Sequence, residues 1–93
     1  MMKYYAIAIN GQEQGLVRAA TADAAALMGI EQWTRFGPMV ASYRPVSKHT
    51  YSCQNTQGRE LATVTVKLPR DQATAHLAYT STLTKALADT YRT

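Results

Sequence analysis

Apolar and polar positions alternate most cleanly in the second half of the chain. Ala62, Val64, Val66 and Leu68 share one side of an extended segment, with Thr63, Thr65 and Lys67 on the other. Upstream, Tyr51 and Cys53 alternate in the same way with Thr50, Ser52 and Gln54, and the parity places His49 beside Tyr51 on the apolar side. This period of two predicts a pair of strands. Between them, Asn55-Thr56-Gln57-Gly58 suits a four-residue hairpin loop, with Asn55 opening a type I turn and Gly58 closing it.

Lys3–Ile9 has a different pattern, being apolar on both sides. Such a strand belongs at the centre of a sheet, or has its second side covered. Asn10–Gly15, with its two glycines, reads as a turn into a returning strand at Leu16–Ala20. Met39–Arg44, halted by Pro45, is a further strand.

Two stretches have helical character. Thr21 is a good N-cap, with Asp23 in the first turn, and Ala22–Met28 has high helix propensity. Gly29 is expected to end this helix, leaving residues 30–36 irregular or extended. The alternative is a helix continuing toward Gly37-Pro38 with Ala26, Ile30 and Trp33 on its buried side. From about residue 71 to 91, Ala73, Leu77, Thr80, Leu83, Thr84, Leu87 and Tyr91 recur at helical spacing. Its many threonines weaken intrinsic helicity, so this helix must depend on packing. The expected fold is α+β: one domain, residues 1–93, in the order ββαβββα, with one short and one long helix packed on an antiparallel sheet.

Composition refines this picture more than it changes it. A chain of 93 residues buries only about 60–65% of its unfolded surface, so a second copy on an edge or helix face would add useful stability. Ten Lys and Arg against six Asp and Glu give a net charge of +4, with no run of consecutive cations. That balance permits an acidic or nucleic-acid partner without requiring one. Cys53 is the only cysteine, which excludes an intrachain disulfide and fits a reducing, cytoplasmic setting. Neither a signal-peptide core nor a membrane span is expected.

Candidate chemistry is sparse. His49 and Cys53 lie four apart on a strand, which spans roughly 13 Å, too far to share a metal ion. A Cys53 nucleophile would need a histidine within reach, and a small buried hydrophobe is the simpler role. Asp23 and Asp71 stand at helix starts, Glu60 follows a turn, and Asp89 is spaced to pair with Lys85 or Arg92. Phosphate-loop glycines are absent. Enzymatic activity, a cofactor and a metal are therefore not expected.

Two binding readings remain. Trp33, Arg35, Phe36 and Met39 fall within seven residues and make a candidate protein interface. Tyr43, Arg44, Lys48, Arg59 and Lys67 interleave an aromatic with cations and are the alternative, a nucleic-acid contact on the sheet. The first is preferred: a small binding or regulatory protein with a protein partner, and a homodimer through a sheet edge or helix face in view. Short chains without motifs are often carried by phages and plasmids to inhibit a host complex, anti-CRISPR proteins among them. That expectation rests on size, not on any residue.

Overall fold

The structure, a computed structural model, describes the backbone of residues 1–91 and the side chains through residue 81. Strands β1 (Lys3–Ile9), β2 (Gln12–Ala19), β3 (Ser42–Pro45), β4 (Thr50–Gln54) and β5 (Glu60–Lys67) form one antiparallel sheet in the order β2-β1-β5-β4-β3. Helix α1 (Ala22–Trp33) follows β2, a short 3-10 turn (Gly37–Met39) precedes β3, and α2 (Gln72–Tyr91) follows β5. This is the expected α+β order, and no helix among the described residues is long and apolar enough to cross a membrane.

The insertion of β5 beside β1 explains why β1 is apolar on both sides. Tyr5, Ile7 and Ile9 face α1 and join Val17, Ala19, Cys53, Ala62, Val64 and Val66 in the core. Tyr4 points the other way and is buried beneath the start of α2, its ring against those of His76 and Tyr79.

The Thr21 hydroxyl caps α1, accepting the Ala24 N–H at 3.2 Å. The helix does not stop at Gly29, as expected from the sequence, but runs on to Trp33. Gly29 is buried there because a Cβ would lie 2.7 Å from Ile7 Cγ2, so the missing side chain lets α1 settle onto β1. What ends the helix is Thr34. Its hydroxyl and its N–H both donate to the Ile30 carbonyl, at 2.6 and 3.1 Å.

The first turn is also tighter than the sequence suggests. Asn10 (φ 51°) and Gly11 (φ 82°) form a two-residue turn of type I′, and β2 begins at Gln12. Gly15 lies inside β2, next to a bulge between the pairs Ile7–Gly15 and Ala8–Glu13. It accommodates the Trp33 indole, which would sit 3.1 Å from a Cβ at this position. In the second hairpin the Gly58 N–H donates to the Asn55 carbonyl at 3.0 Å, closing the expected Asn55–Gly58 turn, and the Asn55 N–H donates to the Arg59 carbonyl at 3.0 Å. Asn55 Oδ1 fixes it by accepting the Gln57 and Arg59 N–H groups, both at 3.0 Å.

Two further expectations are corrected. His49 is exposed and precedes β4, contributing its carbonyl to the Val66 N–H rather than a ring to the core. In α2, Ala73 and Leu77 are exposed, whereas Ala75 is buried and Gln72 and Tyr79 turn toward the sheet. The rotation of this helix follows hydrogen bonds. Gln72 accepts the Tyr4 N–H through Oε1 (2.8 Å) and donates through Nε2 to the Tyr4 carbonyl (3.1 Å), copying a strand residue where β5 has ended. The Tyr4 hydroxyl adds a bond to His76 Nδ1. Leu83, Thr84, Leu87, Tyr91 and the proposed partners of Asp89 lie outside the described side chains.

Candidate protein interface

Residues 33–40 turn sharply out of α1, and Thr34 organises the turn. While its hydroxyl donates to Ile30, its oxygen accepts the Phe36 N–H at 3.1 Å. Phe36 then caps the 3-10 turn, its carbonyl accepting the Met39 N–H at 2.9 Å, and the ring of Pro38, the turn's second residue, fixes that residue's φ. Gly37 lies against Glu31, where a Cβ would be 3.1 Å from Glu31 Cγ. The far end is tied to the sheet by the Ala41 N–H, which donates to the Gln54 carbonyl at 2.8 Å.

Of the four residues expected at an interface, three come together. Arg35, Phe36 and Met39 are exposed, and the three-residue period of a 3-10 turn aligns Phe36 with Met39. Phe36 is 36% exposed and Met39 57%. Trp33 is separate: it is half-buried, packed against the core and lying over Gly15. Its ring packs over β2 and lines a groove beside that strand, on another part of the surface from the turn.

The structure adds Leu27 and Glu31, which the sequence reading did not select. Leu27, 38% exposed, lies one turn before Glu31 on α1, and Glu31 touches Gly37. Leu27 on α1 and Phe36 and Met39 on the turn are thus exposed apolar side chains on elements that meet where Glu31 approaches Gly37. The i, i+4 spacing of Leu27 and Glu31 is the signal that would have found them, had the helix been continued through Gly29.

The five residues considered for nucleic acid are dispersed. Tyr43 pairs with Cys53 and packs against the core, on the side of the sheet that α1 covers. Its hydroxyl is buried with no hydrogen-bond partner among the described residues, and burial, with Cys53 and Glu31 adding, pushes its pKa up. Arg44 and Lys67 lie on the opposite, open side, Lys48 in the β3–β4 loop and Arg59 beside the hairpin loop. From the register, Arg44 and Lys67 are roughly 15 Å apart.

Between them the open side is largely hydroxyl-bearing and mutually bonded. Thr50 and Thr65 share a 3.1 Å contact between hydroxyls, and Ser52 donates to Glu60 at 2.7 Å. Cys53 is fully buried, and burial, reinforced by the Glu60 charge, pushes its thiol up to about 11. A thiol so protonated at neutral pH is a poor nucleophile. Among the described residues no group of three or more His, Cys, Asp or Glu side chains could hold a metal ion. Comparison with protein-family models, curated proteins and solved structures finds no match for this chain.

Proposed function

We propose that this chain is a non-enzymatic binding protein that docks a protein partner through Leu27, Phe36 and Met39, with Glu31 and Arg35 at the rim. The observation that carries this reading is the pairing of exposure with rigidity. Large apolar side chains stand on a turn held by Thr34, by the close approach of Gly37 to Glu31, and by the Ala41–Gln54 hydrogen bond. A surface ordered before binding gives up less conformational entropy on association.

Such a protein acts by occupying a surface of a larger assembly. Inhibition of a host complex by a phage- or plasmid-borne protein, of the anti-CRISPR kind, is one setting consistent with its size.

The test is a comparison of captures from a host lysate after nuclease treatment, using the wild-type chain and a Phe36→Glu/Met39→Glu variant. Both positions are exposed, so the variant is expected to keep its circular dichroism spectrum. A stoichiometric protein captured by the wild type and lost from the variant supports the reading. Equal capture by both overturns it. Recovery of nuclease-sensitive nucleic acid alone, lost on Arg44→Glu and Lys67→Glu, replaces it with binding on the open side of the sheet.

A further inference from the structure

The sheet has two edges, and they are differently guarded. At one, β3 has four residues and ends in Pro45, a short proline-bearing edge of the kind that discourages strand addition. At the other, β2 runs for eight residues without proline, its only irregularity the bulge beside Gly15. A groove of about 350 Å³ lies along it, lined by Gln14–Val17, with Met28, Gln32 and Trp33 from α1 and Ala78 and Tyr79 from α2.

The register shows which peptide groups this edge offers. On β1 the Tyr4 N–H meets Gln72 and the Asn10 N–H meets the Thr63 carbonyl, so even-numbered residues address the β5 side. Odd-numbered residues of β1 therefore bond to β2, through the pairs Tyr5–Val17 and Ile7–Gly15. The peptide groups of Leu16 and Arg18 are left pointing outward. Past the bulge, Glu13, opposite Ala8, takes the next outward position.

Read along the edge, the outward positions are thus Glu13, Leu16 and Arg18: acidic, apolar, basic. Their side chains share the side of the sheet away from α1, because they oppose Ala8, Ala6 and Tyr4. This order is self-complementary under two-fold rotation. If a second copy of β2 pairs antiparallel with Leu16 on the dyad, Leu16 meets the partner's Leu16. Glu13 then lies opposite the partner's Arg18, and Arg18 opposite the partner's Glu13. The same alignment brings Val17 opposite the partner's Gly15, where there is no side chain to oppose it.

We propose that β2 is a homodimer edge, joining two copies into a continuous ten-stranded sheet with Leu16 at its centre. The outward peptide groups supply the hydrogen bonds, and the Glu13–Arg18 pairs fix the register.

The test is sedimentation equilibrium of the wild type and three variants, Glu13→Arg, Arg18→Glu and the double exchange. The wild type is expected at twice its 10.2 kDa mass at micromolar concentration. Each single reversal turns both symmetric pairs repulsive and should weaken dimerisation about tenfold or more. The double exchange should recover wild-type affinity to within about threefold. Both positions are exposed, so circular dichroism should be unchanged throughout. A wild type that stays monomeric to about 500 μM overturns the proposal. So does a single reversal without effect, or a double exchange that fails to restore the dimer.

Discussion

The two helices are held to the same sheet by different physics. α1 lies over β2, β1 and β5 and is seated by shape, with Ala25, Ala26, Gly29 and Ile30 buried and Ile7 filling the space that Gly29 leaves. α2 meets the sheet near one end of β1 and is seated by polar contacts, the Gln72 clamp on Tyr4 and the Tyr4–His76 bond. Its apolar Leu77 remains 65% exposed. Side-chain volume therefore governs the first contact and hydrogen-bond geometry the second, and the two should fail under different substitutions.

The largest effect is expected from Ile30→Ala. Ile30 is fully buried, and its truncation should cost about 3–4 kcal/mol in urea unfolding. Gly29→Val comes next, at about 2–3 kcal/mol, because α1 must lift away from Ile7. Adding Ile7→Ala should make the Gly29 substitution cheaper than it is alone; strict additivity would show that the close approach is not what matters.

Gln72→Ala should cost about 1–2 kcal/mol. Its more telling signature is faster hydrogen exchange at the Tyr4 amide, with the centre of β1 still protected. If protection were lost equally along β1, the clamp would not be a local device.

Acid and alkali should separate the two regions more gently. Beneath α1, the raised Cys53 pKa means that the folded state keeps a proton which the unfolded chain releases first. Stability should be intact below about pH 9 and fall as pH rises toward about 11, a decline that Cys53→Ala should lessen while the raised Tyr43 and Tyr51 hydroxyls sustain the rest. At the start of α2, Asp71 has its pKa lowered by the Thr74 hydroxyl and N–H, which donate to its carboxylate. Its contribution is present above the ordinary carboxylate value and disappears as pH falls through the depressed one. Because Asp71 is exposed, this should be the smallest effect, seen as a slight acid-side loss that Asp71→Asn removes.

How far the sequence could be read follows from the range of the interactions involved. β1, β5 and the start of α2 were legible because alternation and capping act over a few residues. Gly29 was misread because its role depends on Ile7, 22 positions away, and a glycine that ends a helix looks the same locally as one that allows close packing. Gly15 likewise reads locally as part of a turn, whereas its partner is Trp33. The rotation of α2 could not be taken from apolar spacing, since Gln72 sets it through hydrogen bonds to Tyr4. At the candidate interface, the cluster of Arg35, Phe36 and Met39 was visible in composition alone. Leu27 and Glu31 depended on the helix boundary, and the inward position of Trp33 depended on the third dimension.

The Asn10-Gly11 turn also has a chemical consequence. In this dipeptide the glycine nitrogen readily attacks the asparagine side-chain carbonyl, converting it over time to aspartate or isoaspartate. Here that carbonyl oxygen is held by the Thr63 N–H at 2.9 Å, and the left-handed backbone at both residues restricts the rotation needed for attack. The folded chain thus protects its own most labile bond, whereas a molecule left unfolded ages at this site. Conversion to aspartate keeps a favoured turn residue and an acceptor for the Thr63 N–H, whereas isoaspartate adds a carbon to the turn backbone and disturbs both.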